Sequence, residues 1–190
     1  AASDVYKRQR RSIKKFKRDM YIDESALKEV ILEAADAPNH GMREPWRVVY
    51  VPKNKLGEMS REISKYAFPK DKEKQESHYE AVTNLGGFLA LIMTCDARQR
   101  EENENYLAIG AFAQNLLLLL YEKGIGTCWK TPDYIFKPKI RTIFGVAPDE
   151  KLVGFIYLTD LEDEADFPKV ERKNSCLLYT SDAADERSSV

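Results

Sequence analysis

The apolar positions of this chain fall into distinct rhythms, and each rhythm predicts an element. Over residues 25–36, Ala26, Leu27, Val30, Ile31, Ala34 and Ala35 repeat at helical spacing, which predicts one buried stripe. Pro38 stops that helix, because proline cannot continue the hydrogen-bond ladder. Residues 46–51 read as a strand closed by Pro52, and 55–66 and 70–81 read as two polar-faced helices around Phe68-Pro69. After Gly86-Gly87 the run 88–94 is apolar without alternation, as in a strand buried on both faces.

The dominant element is a helix predicted over 104–123. Residues 106–121 are apolar nearly all round, interrupted only by Gln114 and Asn115. A membrane span needs about 20 apolar residues, and the two amides sit near the middle of this one. The helix is therefore expected to be buried on several sides, partly against a second subunit. Gly124 caps it. Residues 125–131 then read as an extended segment, 135–144 as a short helix, 152–158 as the last strand, and 160–166 as an acidic loop. The order α-β-α-α-β-α-α-β predicts an α+β domain with helices against a central sheet.

The two ends change how composition is read. Residues 1–9 (AASDVYKRQ) and 176–186 (CLLYTSDAADE) resemble the two strands of one sequencing adaptor, each translated, and 187–190 lies beyond the second. Residues 1–9 and 176–190 are accordingly expected to be non-native tails, and 10–175 to be a single domain that begins in mid-motif. Without Lys7, Arg8 and Arg187 the 30 Lys and Arg become 27, and without Asp4, Asp182, Asp185 and Glu186 the 31 Asp and Glu also become 27. A net charge of zero offers nucleic acid or a membrane surface no electrostatic footing. Cys95 and Cys128 remain without CxxC spacing, which predicts a reduced, cytoplasmic protein. His40 and His78 are too few and too far apart to define a metal site.

Four segments carry candidate chemistry. Arg10-Arg11-Ser12 with Lys14 supplies fixed cations and a hydroxyl, the groups that grip phosphate through charge-assisted hydrogen bonds. Taken alone, such a run also suits a solvated helix start. A nucleic-acid arm would need aromatic interleaving or a wider basic patch. Pro38-Asn39-His40 followed by Glu44-Pro45-Trp46 is a loop leading straight into a strand. Tyr106 to Leu117 contains the Gln114-Asn115 pair ahead of a leucine run. Gly124-Ile125-Gly126-Thr127-Cys128-Trp129-Lys130-Thr131-Pro132 suggests GxGxxG only superficially, since the third glycine is missing and the segment follows a helix.

These four segments, in this order, resemble the FMN-dependent nitroreductase family, most closely its short NAD(P)H-dependent members. The resemblance implies a nitroreductase-like fold, a mostly antiparallel sheet flanked by helices, and an obligate homodimer with FMN at the interface. It assigns FMN contacts to Arg10, Arg11, Ser12, Lys14, His40, Trp129, Lys130 and Thr131. A weaker carry-over assigns nicotinamide-nucleotide contact to Glu122, Lys123, Gly124, Ile125, Gly126 and Thr127. The implied reaction is ping-pong transfer from NAD(P)H to a nitroaromatic, quinone or other electron-poor acceptor. The cofactor carries the chemistry, so neither a catalytic side chain nor a metal is expected. A non-catalytic FMN-binding or redox-sensing protein is the alternative from another class. A flavin-dependent dehalogenase or dehydrogenase is the alternative within the superfamily.

Two positions depart from the family pattern. Glu44 stands where many relatives have Gln, and is free to face solvent or pair with Arg43 or Arg47. Pro132 stands where relatives often have Gly. It has no N–H for the flavin N5, which makes Thr131 the expected donor. Trp46 is expected to be core, and Cys128 structural.

Overall fold

A computed structural model describes residues 10–14, 16 and 20–161 of the chain. Both expected non-native ends, and the acidic loop beyond Leu161, lie outside those residues. Helix α1 (Glu24–Ala34) starts where the Asp23 side chain accepts from the Ser25 N–H at 2.9 Å, capping an otherwise unpaired first turn. Strand β1 (Trp46–Pro52) leads into α2 (Leu56–Ala67) and α3 (Lys72–Thr83), the latter capped by Asp71 onto the Lys74 N–H at 2.9 Å. Strand β2 (Gly87–Thr94) is followed by the long α4 (Gln99–Glu122), β3 (Gly126–Lys130), α5 (Pro138–Ile143) and β4 (Glu150–Thr159).

The four strands form one antiparallel sheet in the order β1-β2-β4-β3. Helices cover both faces, which is why β2 reads as an unbroken apolar run. Alternate residues of β2 serve the two sides. Phe88, Ala90 and Ile92 pack with α2, α5 and the Tyr134–Ile135 turn, whereas Leu89, Leu91 and Met93 pack with α1 and α4. On the α4 side, Trp46 stacks on Phe112 with centroids 5.0 Å apart, so its role is core packing, as expected. Asn115 donates to the Ala34 carbonyl at 3.5 Å, tying α4 to the end of α1, while Gln114 is exposed.

The opposite side carries a buried polar chain. The Ser60 hydroxyl lies 2.7 Å from His78 Nδ1, and His78 Nε2 lies 3.2 Å from the Tyr134 hydroxyl. The order is self-consistent if Ser60 donates to Nδ1 and Nε2–H donates to Tyr134. Burial pushes the His78 pKa down to about 4 and raises that of Tyr134.

Three boundaries differ from expectation. Helix α4 begins at Gln99, because its first turns are polar and solvated and so carry no apolar period. The helix expected over 135–144 is two pieces, a 3₁₀ turn (Asp133–Phe136) and α5. Lys137 between them is extended (φ −72°, ψ 131°), as the residue before Pro138 prefers to be. The extended segment is a full edge strand, β3, reached through Gly124 at φ +77°. Among the described residues, no helix is long and apolar enough to cross a membrane.

Candidate functional site

The tract at 10–14 meets the outer edge of β3. Ser12 forms a parallel bridge with Thr127, and the Ile13 N–H donates to the Thr127 carbonyl at 2.9 Å. Two apolar side chains pin the tract. Ile13 is 2% exposed, and Phe16 meets Tyr157 edge-on with centroids 5.9 Å apart. A strand-like segment alternates its faces, so Ser12 and Lys14 point outward on either side of Ile13, and Arg10 and Arg11 are half-buried. The Arg11 Nη1 donates to the Arg10 carbonyl at 3.1 Å. Gly126 permits the close approach. A Cβ there would lie 2.7 Å from the Asp160 carbonyl oxygen and 2.8 Å from Ile13 Cδ1.

Farther along the same edge, Trp129 and Lys130 are half-buried and Thr131 is exposed. Thr131 lies about 13 Å from Thr127 at the rise of an extended chain. The Pro132 carbonyl accepts from the Ile135 N–H at 3.0 Å. Among the described residues, four buried side-chain polar atoms lack a hydrogen-bond partner: Thr127 Oγ1, Trp129 Nε1, Thr159 Oγ1 and Arg141 Nε. The first two are on β3, and Thr159 pairs with Gly126. Arg141 lines a cavity beside Thr131. Buried polar atoms are nearly always paired, so three of them at the β3–β4 edge, with Arg141 of α5 as the fourth, make that edge the candidate site.

His40 lies in a different place. It opens a 3₁₀ turn (His40–Met42) and is exposed. The backbone there is strained at Met42 and Glu44, with φ 52° and 45°, next to Gly41, which takes φ 64° freely. Left-handed non-glycine residues cost roughly 1–3 kcal/mol each and cluster at functional sites. Asn39 holds the loop closed: its Oδ1 accepts from the Glu44 N–H at 3.0 Å, and its Nδ2 donates to the Ala37 carbonyl at 3.3 Å. Neither arginine near Glu44 pairs with it. Arg43 pairs with Glu104 at 3.0 Å, and Arg47 forms a two-pronged bond to Glu150 at 2.7 and 2.6 Å.

Within one chain this loop does not meet the tract. Thr127 is level with Leu158, whereas Trp46 is level with Met93 and Lys151. The separation along β4 is about seven residues, or roughly 20 Å. Arg10, Arg11, Ser12 and Lys14 thus share an edge with Trp129, Lys130 and Thr131, and His40 stands apart. Of the residues expected at the nicotinamide nucleotide, Glu122, Lys123 and Gly124 are exposed and Ile125 is half-buried. Gly126 and Thr127 are buried. Sequence reasoning gave no role to Asn39, although an Asn that bonds nearby backbone is a recognisable loop-closing residue. Tyr106, Arg141 and Lys151, from α4, α5 and β4, line one cavity with Thr131 and come together only in the fold.

An antiparallel sheet covered on both faces, with a basic tract bridged to its β3 edge, defines an α+β protein. The chain belongs to the nitroreductase family, whose profile matches residues 8–158. It is 31% identical over 172 residues to "Putative NAD(P)H nitroreductase YfhC" of Bacillus subtilis (strain 168), covering 87% of this chain and 86% of that protein. Its fold is similar to that of a nitroreductase-like family protein from Bacillus cereus, with a TM-score of 0.72 and 23% identity over 95% and 94% of the two chains. It is also similar to a nitroreductase with bound FMN from Bacteroides fragilis (TM-score 0.71, 18% identity, 95% and 99% coverage). A third similar fold is the FMN-dependent nitroreductase NfnB from Mycobacterium smegmatis in complex with NADPH (TM-score 0.69, 18% identity, 91% and 94% coverage).

Proposed function

We propose that this protein is an FMN-dependent oxidoreductase that draws reducing equivalents from NAD(P)H. It delivers them in a ping-pong cycle to nitroaromatic, quinone or similar electron-poor acceptors. The observation that carries this is the arginine–serine tract bridged to the head of β3, a strand whose own buried polar atoms lack partners. The residues fit a flavin mononucleotide. Arg10, Arg11, Ser12 and Lys14 suit the phosphate, and Trp129, Lys130 and Thr131, about 13 Å along the edge, suit the ring. When bound, FMN supplies hydride acceptance from nicotinamide and electron delivery to the acceptor.

The side chains bind and orient rather than react. Lys130 favours negative charge on the reduced ring, and the Thr131 N–H is the donor for the ring edge that Pro132 cannot serve. The exposed Glu122, Lys123 and Gly124 are the part of their stretch open to a nicotinamide nucleotide. His40 serves the site of a second copy, since it lies roughly 20 Å along the strands from its own tract. Leu107, 75% exposed on α4 beside the 43% exposed Tyr106, fits the interface of such a homodimer. The free thiols Cys95 and Cys128 suit a reducing, cytoplasmic compartment.

Arg10→Ala and Ser12→Ala should each weaken FMN binding by roughly 1.5–3 kcal/mol, the loss of one charge-assisted bond. Fluorescence titration with FMN reads this directly. Wild-type affinity in both variants would remove the tract from the site. Steady NADPH oxidation with an added quinone distinguishes the enzyme from a flavin binder that does not turn over.

A further inference from the structure

Beyond Thr131 the sheet edge is notched. Strand β3 covers β4 only from Thr159 to Phe155, so Lys151, Leu152 and Val153 have no strand beside them there. A cavity of about 510 Å³ fills the notch, with Thr131 in its wall. Tyr106 and Phe136 give it aromatic sides, and Ile135 and Leu152 add aliphatic surface. A volume of this order takes one substituted ring.

The two cations in the wall differ. Lys151 is neutralised by an ion pair with Glu102 and lies 5.3 Å from the centroid of the Tyr106 ring. Arg141 has no carboxylate partner among the described residues. Its Nη2 donates to the Ala147 and Glu150 carbonyls, which fixes the guanidinium plane, and its Nε is buried without a partner. The cavity therefore carries one positive charge that is held rigidly and not neutralised. With Nη2 committed to two carbonyls and Nε shut off from solvent, Nη1 is the nitrogen left to donate a charge-assisted bond to an anion in the cavity.

We propose that this cavity takes the electron acceptor by a carboxylate, with Arg141 as the specificity-determining residue. The preferred acceptors are then electron-poor aromatic carboxylates of the nitrobenzoate type, their ring lying between Tyr106 and Phe136. This rests on the oxidoreductase reading above.

The test compares equilibrium binding of 4-nitrobenzoate and its neutral isostere 4-nitrobenzamide by calorimetry, on the protein as purified and after loading with FMN. The carboxylate should bind about tenfold tighter or better, as a charge-assisted bond implies. That preference should vanish in Arg141→Gln and persist in part in Arg141→Lys. Equal affinity for the two ligands, or an unchanged preference in Arg141→Gln, overturns the assignment. Should Arg141→Gln fail to fold, the wild-type ratio decides alone. If the protein takes up no FMN, the flavin reading fails, and the ligand comparison on the unloaded protein still reports on Arg141.

Discussion

The sheet treats buried polar groups in two opposite ways. On the side covered by α2 and α3, Ser60, His78 and Tyr134 form a hydrogen-bonded chain with both imidazole nitrogens partnered. Along the β3 edge, Thr127, Trp129, Thr159 and the neighbouring Arg141 each leave a buried atom unmatched. A fully satisfied network in a low-dielectric interior adds rigidity, while an unsatisfied one is costly unless something else completes it. On the proposed reading, the closed side is architecture and the β3 edge is where the cofactor completes the unmatched groups.

The sharpest way to break this comparison is to damage the closed side. Phe88→Ala removes a 2% exposed ring that meets Phe155 and Phe144 at 5.5 and 6.1 Å. It should cost about 3–5 kcal/mol in urea unfolding, whereas Ser12→Ala should leave unfolding unchanged and affect only flavin binding. Comparable losses in the two variants would erase the distinction.

The polar chain gives a pH signature of its own. His78 is neutral in the fold, with its pKa pushed from 6.5 down to about 4 by burial. The unfolded chain binds the extra proton below pH 6.5 and the folded chain does not. Stability should therefore fall as pH drops from 6.5 to 4, by at most about 3 kcal/mol, and level off below that. His78→Phe should flatten this window in denaturation curves taken at several pH values. An unaltered slope would show that His78 is not held as described.

The smallest effect sharpens the open side. Gly126→Ala puts a methyl against the Asp160 carbonyl and Ile13, and should destabilise the fold by about 1–3 kcal/mol. Because it also lifts the tract from β3, FMN affinity should drop in the same variant. Retained affinity at reduced stability would separate the tract from the strand.

Much of the architecture was legible because it rests on local rhythm. The unbroken apolar run of β2 and the stripe of α1 are dictated by burial on two faces and on one. The break at Lys137 was not, since Ile135, Phe136, Ile140 and Ile143 keep helical spacing across a proline that starts a new helix. In the site, the basic tract and the Trp129–Thr131 segment could be read separately, but the bridge from Ser12 to Thr127 joins residues far apart in the chain. The strain at Met42 and Glu44 leaves no compositional trace, because neither residue is a usual left-handed type. Arg43 and Arg47 illustrate the same limit. Each has Glu44 close by in sequence and takes a remote carboxylate instead, Glu104 and Glu150.

The central claim is that the open β3 edge holds a reducible flavin. Its most direct test is the visible absorption spectrum of the purified protein, taken before and after FMN is added and again after anaerobic NADPH. A bound-flavin spectrum that bleaches on addition of NADPH is the predicted result. A protein that takes up no flavin, or one whose bound flavin NADPH leaves oxidised, would contradict the claim.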